Sequence, residues 1–205
     1  MQENNSLEKL CEYLEQKPAQ EEIVRIFKSH PEFNEERIFP LDFYEQQFEK
    51  ICTKILLKKA ERDLPELNIR RMLLPREEDE VWCRDLPGNV YVYSKKAFKK
   101  KIRLRKIQYE NLITVNDMPI IIESSLAKFP NIYLIQDKIN KLYEKTEKKP
   151  EYIIVTPEEN LRSIYAKLFR NNGGLTAKFY TSSEEFRKEV KEIVIKSNLA
   201  YKNNK

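Results

Sequence analysis

Residues 109–125 read YENLITVNDMPIIIESS, and this stretch constrains the fold more than any other. Two apolar arms joined by Asn116-Asp117 predict a β-hairpin with a two-residue loop, because Asn and Asp tolerate the positive φ that such loops require. A two-residue loop fixes the register: 114 faces 119, 112 faces 121 and 110 faces 123. Glu110 and Glu123 then become direct neighbours at the open end of the hairpin. Opposed like charges destabilise a sheet, so a positive group between them is the expected remedy. Carboxylate oxygens suit Mg²⁺ or Mn²⁺. The alternative is that both side chains splay into water and bind nothing.

The rest of the chain supplies elements to pack around this hairpin. Ser6 to Gln16 and Gln20 to Lys28 carry helical periodicity, are split by Pro18 and are closed off by "SHP", which predicts a helical N-terminal extension over residues 1–39. A longer helix follows, capped by Asp42 and running through Arg62, with Phe48, Ile51, Cys52, Ile55 and Leu56 as its buried stripe. Short β-like runs at Ile69 to Leu74, Val81 to Cys83 and Val90 to Tyr93 are punctuated by Pro75 and Pro87-Gly88. After the hairpin the pattern predicts a helix from Ile132 to Glu147, the strand EYIIVT and a helix from Glu159 to Arg170 closed by Gly173-Gly174. The strand LTAKFYT and a last helix follow. That helix opens with Ser182 as N-cap and Glu185 three residues on, and buries Phe186, Val190, Ile193 and Val194. Strands alternating with helices imply an α/β fold with a mixed sheet, forming one domain over residues 40–205.

Composition narrows the function classes. Three cysteines at scattered positions, Cys11, Cys52 and Cys83, give neither a disulfide framework nor a zinc spacing and argue for a reducing, cytoplasmic setting. No apolar run approaches membrane-spanning length. Charged residues make up 35% of the chain against three glycines and one histidine, a balance that suits a hot intracellular environment. The formal charge of +5 is modest, so a nucleic-acid surface must be local. KKAFKKKIRLRK provides one: Lys95, Lys96, Lys99, Lys100, Lys101, Arg103, Arg105 and Lys106 form a segment able to track phosphates, or else a solvated strand or loop. Trp82, Tyr91 and Tyr93 suit either base stacking or a core. His30 precedes a proline with no companion ligand and reads as a helix-end residue. With a single histidine, no Ser/His/Asp set is available, which excludes triad hydrolases.

From about Asp42 to Thr181 the order of helix, strands, YENLITVNDMPIIIESS, KINKLYEKTEKKPEYIIVTPE and GLTAKFYT resembles the PD-(D/E)XK nuclease superfamily. It is most similar to archaeal branches: Holliday-junction resolvases, archaeal nuclease-like proteins and the nuclease-like protein of spindle-shaped crenarchaeal viruses. The resemblance implies a restriction-endonuclease-like sheet flanked by helices, and metal-dependent hydrolysis of branched or double-stranded DNA by a homodimer. It matches the family's first acid to Glu110 and the second to Glu123, thirteen positions on. The family's helix acid falls at Glu45 in YEQQFEKICTKIL, with Glu49 one turn along as runner-up. These three would hold Mg²⁺ or Mn²⁺. Two departures stand out. Glu110 replaces an aspartate, and Ser125 occupies the position of the lysine that helps activate the attacking water. Lys128 and Lys138 are the nearby substitutes, with Lys128 the better fit to simple solvation and Lys138 the expected catalytic base. The competing expectation is a silent nuclease-fold protein that binds DNA or assembles without cutting.

Overall fold

The computed structural model describes residues 2–29, 33, 38–72, 109–127 and 131–202, and 80–82, 91–94 and 104–105 as backbone. Helices α1 (Gln2–Leu14) and α2 (Gln20–Ser29) lead into a two-residue strand β1 (Phe39–Pro40) and the long helix α3 (Leu41–Asp63). A single 3₁₀ turn, Pro65–Leu67, connects to β2 (Arg70–Arg71). Strands β3 (Glu80–Trp82), β4 (Tyr91–Ser94) and β5 (Leu104–Arg105) pair antiparallel with one another. The hairpin β6 (Asn111–Val115) and β7 (Met118–Ser124) is followed by α4 (Ile132–Thr146), β8 (Glu151–Thr156), α5 (Glu158–Leu161) and α6 (Ile164–Asn171). The chain ends with β9 (Leu175–Lys178), α7 (Ser183–Lys196) and β10 (Tyr201–Lys202).

The central sheet has five strands in the order β2-β6-β7-β8-β9. β2, β6 and β7 run antiparallel, whereas β7, β8 and β9 run parallel, so the sheet is mixed. A parallel step needs a crossover, and α4 supplies it between β7 and β8. Alternation along β7 sorts the core into two layers. Ile120 and Ile122 face α3, α7 and the N-terminal helices, together with Ile153, Val155 and Ala177. Ile121 faces α4, packing with Ile135, Leu142, Tyr152, Ile154 and Phe169. The expected buried stripe of α3 is buried in full, and so is that of the last helix. Leu7, Leu10, Leu14, Ile23 and Phe27 of the predicted N-terminal extension belong to the same buried cluster as Ile120 and Ile122.

Asn116 and Asp117 take φ of 49° and 65°, the positive values of a two-residue loop. The observed pairs, Leu112 with Ile121 and Thr114 with Pro119, follow the register set by that loop. Three expectations need correction. Helix α3 starts at Leu41 with Pro40 at the N-cap, so Asp42 lies in the first turn and does not cap it. The helix expected from Glu159 to Arg170 is two helices, because the Ser163 hydroxyl accepts from the Ala166 amide and starts a new one. Arg162 ends the first, and Gly173 at φ 86° closes the second. The strand expected over LTAKFYT stops at Lys178, after which Phe179 and Tyr180 turn into the core. Near the end of the chain, Tyr201 and Lys202 pair parallel with Phe39 and Pro40. His30, Cys83, Lys128 and the segment Lys95 to Lys101 with Arg103 and Lys106 lie outside the described residues, and Arg105 is described as backbone within β5.

Candidate functional site at the open end of the hairpin

The hairpin ladder ends one pair short of the two acids, at Asn111 and Ile122. Glu110 sits in a bend, and its carboxylate turns back to meet β7: Ser124 donates its backbone N–H to Oε2 at 3.1 Å and its hydroxyl to Oε1 at 2.7 Å. The geometry has a simple cause. Along β7 the amide of Ser125 points to β8, where it donates to the Val155 carbonyl, so the Ser124 amide points to the β6 side. A carboxylate oxygen of Glu110 therefore takes the place of the next ladder carbonyl. The direct Glu110–Glu123 pairing expected from the register does not form, because the ladder stops before reaching it.

Glu123 and Ser124 consequently serve opposite layers. Glu123 lies on the α4 side, where the Lys138 ammonium contacts Oε1 and the Tyr152 hydroxyl donates to Oε2 at 2.5 Å. Lys138 is only 7% exposed and is tied in further by Tyr109, whose hydroxyl donates to the Lys138 carbonyl at 3.1 Å. Burial, and then the Glu123 charge, hold the Tyr152 hydroxyl far above its ordinary value, and the same two causes push Tyr109 up to about 12. Both phenols remain donors.

Ser124 lies on the α3 side, with its Oγ 3.0 Å from Thr53 Oγ1. One helical turn before Thr53 stands Glu49, 4% exposed, whose Oε1 has no hydrogen-bond partner among the described residues. Burial is the main reason its carboxyl lies well above the usual range, and the Glu110 charge raises it further while Lys50 opposes. Glu110 is raised for the same first reason, against the two Ser124 hydrogen bonds and Lys50, with Glu123 adding a smaller push upward. Asn111, on the neighbouring strand position, has a buried Nδ2 that also lacks a partner among the described residues. The orphaned Glu49 acceptor, within electrostatic reach of a second carboxylate, is one that a hydrated cation can satisfy.

Glu45, the helix acid expected from the sequence, is engaged elsewhere: Arg187 Nε of α7 stands 3.0 Å from its Oε1. The runner-up Glu49 is the helix acid that feels the Glu110 charge, one turn before the Thr53 contact to Ser124. Among the described residues no group of three or more His, Cys, Asp and Glu is gathered to hold a metal ion. Glu49 and Glu110 lie within electrostatic reach of one another, and Glu123 lies within reach of Glu110 but is paired on the other layer. Lys50, Thr53 and Ser124 escaped the sequence reading. Lys50 is adjacent to Glu49 in the chain, but only the helix phase could have linked Thr53 to the end of β7. Comparison with protein-family models, with curated proteins and with solved structures returns no match. No helix among the described residues is long and apolar enough to cross a membrane.

Proposed function

We propose that this chain is a metal-dependent DNA endonuclease of the PD-(D/E)XK type, with Glu49 and Glu110 as its cation-binding acids. The observation that carries the reading is the Glu49 carboxylate: buried on α3, with an Oε1 that has no hydrogen-bond partner among the described residues, and within electrostatic reach of a second acid at the end of the hairpin. The order of helix α3, antiparallel hairpin, helix α4 and parallel strand β8 is the arrangement that the family resemblance implies, and it supports the same reading. A divalent cation bound there would lower the pKa of a bound water and polarise a phosphoryl oxygen. The chain's own residues have separate tasks. Ser124 holds Glu110 through both carboxylate oxygens, and Lys50 supplies positive charge beside both acids. Lys138, the expected catalytic base, is paired with Glu123 and anchors α4 to β7.

The DNA surface belongs to the segment from Lys95 to Lys106, and branched DNA held by a homodimer is the substrate class the resemblance favours. A second reading has its own support. The closed Glu123–Lys138–Tyr152 set, with Ser125 at the lysine position, favours a nuclease-fold protein that binds DNA without cutting it.

Incubation of supercoiled plasmid and of a four-way junction with the protein and Mg²⁺ or Mn²⁺ separates the two. The nuclease reading expects cleavage by wild type that disappears in Glu49→Gln and Glu110→Gln. DNA binding with no cleavage under any divalent ion would leave only the second reading. In either case binding should weaken with salt, and neutralising three lysines between Lys95 and Lys106 should flatten the log–log slope by about one unit per lost phosphate contact.

A further inference from the structure

The hydroxyls of Ser124 and Thr53 join β7 to α3 between Glu110 and the helical turn that carries Glu49. Ser124 Oγ is 2.7 Å from Glu110 Oε1 and 3.0 Å from Thr53 Oγ1. Thr53 is fully buried, one turn after Glu49, and its Oγ1 is 3.1 Å from the Glu49 backbone carbonyl. A hydroxyl has one proton to give. Glu110 as a carboxylate can only accept, so the Ser124 proton is committed to Oε1, and the single Thr53 proton is shared between two acceptors, Ser124 Oγ and the Glu49 backbone carbonyl. The second Glu110 oxygen takes the Ser124 amide at 3.1 Å.

Two hydrogen bonds from Ser124 thus fix Glu110 to β7, and the Thr53 hydroxyl, lying between Ser124 Oγ and the Glu49 carbonyl, ties that end of β7 to α3. Burial and mutual repulsion work against two ionised carboxylates here, and Glu49 Oε1 has no hydrogen-bond partner among the described residues to offset them. Glu110 has four lone-pair directions, and Ser124 occupies two of them, one per oxygen. The remaining directions are left for a ligand.

We propose that Ser124 and Thr53 are positioning residues that aim Glu110 toward Glu49 and thereby set the affinity of the two acids for a divalent cation. The proposal rests on the cation-binding reading above, and the experiment keeps the two apart. Groups that orient metal ligands change affinity by about 10- to 100-fold when removed. The test is Mn²⁺ binding to the full chain, measured by calorimetry and by the loss of the free-ion electron paramagnetic resonance signal. It compares wild type with Ser124→Ala, Thr53→Val and Glu110→Gln, each checked for a native circular dichroism spectrum and a cooperative melt.

Glu110→Gln should abolish binding, whereas Ser124→Ala and Thr53→Val should weaken it by about 10- to 100-fold. Ser124→Thr and Thr53→Ser, which keep the hydroxyls, should restore it to within a few-fold, and they keep the test alive if the first pair does not fold. Wild-type affinity in Ser124→Ala and Thr53→Val, alongside lost binding in Glu110→Gln, overturns the positioning role and leaves the cation site standing. Unchanged binding in Glu110→Gln overturns both.

Discussion

Lys138 and Glu123 form an ion pair whose side chains are only 9% and 17% exposed, bridging α4 to the last turn of β7. Two charges this far from water are costly apart and tolerable together, and Tyr152 satisfies the second carboxylate oxygen. Lys138→Met should therefore destabilise the fold by about 3–5 kcal/mol, because it strands a buried carboxylate. The double variant Glu123→Gln/Lys138→Met should recover most of that loss. Urea melts of the two singles and the double measure it, and additive losses would show that the pair is not coupled.

Glu49 gives the metal-free protein a distinctive pH dependence. Its carboxyl is raised in the folded state, so between the ordinary value of 4.5 and the raised one the unfolded chain releases a proton that the native state keeps. Stability contributed by this group is complete below 4.5 and is lost as pH rises through the folded value, by about 1.4 kcal/mol per pH unit in that window. In EDTA the unfolding free energy of wild type should fall as pH climbs from 4.5, and Glu49→Gln should remove that part of the fall. Added Mn²⁺ should oppose it, since a cation favours the ionised acids.

The hairpin loop offers a test of local strain. Asp117 holds φ at 65° without a glycine, and Asn-Gly is the pair that this loop type prefers. Asp117→Gly should stabilise the protein by about 0.5 kcal/mol, whereas Asp117→Val should destabilise it by about 1 kcal/mol or more. Lys148 donates to the Asp117 backbone carbonyl at 3.1 Å, a contact that neither substitution removes. Thermal melts that rank the two variants in the opposite order would contradict the loop assignment.

The elements legible in the sequence are those written in local periodicity. The hairpin register follows from two loop residues, α7 from the Ser182 cap and its apolar face, and β8 from a single apolar run. What was not legible depends on where regular pairing stops. Nothing in YENL announces that the ladder ends at Asn111 and that Glu110 bends back to Ser124, because the choice depends on burial against α3. The choice between Glu45 and Glu49 was hidden for a related reason. They sit one turn apart on the same helix, and only the position of α7, which brings Arg187 to Glu45, tells them apart. The pairing of the C-terminal Tyr201 with Phe39 is a contact between distant chain segments that no window could contain.

That last distinction yields the sharpest functional contrast. Glu45 is half buried beside Arg187, which offsets part of the burial that raises its carboxyl, and it stands a full turn from Glu49. Glu45→Gln removes a charge already matched by a cation, so it should leave Mn²⁺ affinity within about two-fold of wild type and change stability by no more than about 1 kcal/mol, the scale of a partly exposed pair. Glu49→Gln removes the charge that faces Glu110 and should abolish binding, while relieving repulsion and raising the stability of the metal-free protein at neutral pH. The two variants differ by one turn of one helix and by nothing in composition. If Glu45→Gln abolished Mn²⁺ binding and Glu49→Gln left it intact, the helix acid would be the one expected from the sequence, and the pairing of Glu49 with Glu110 would have no part in holding a cation.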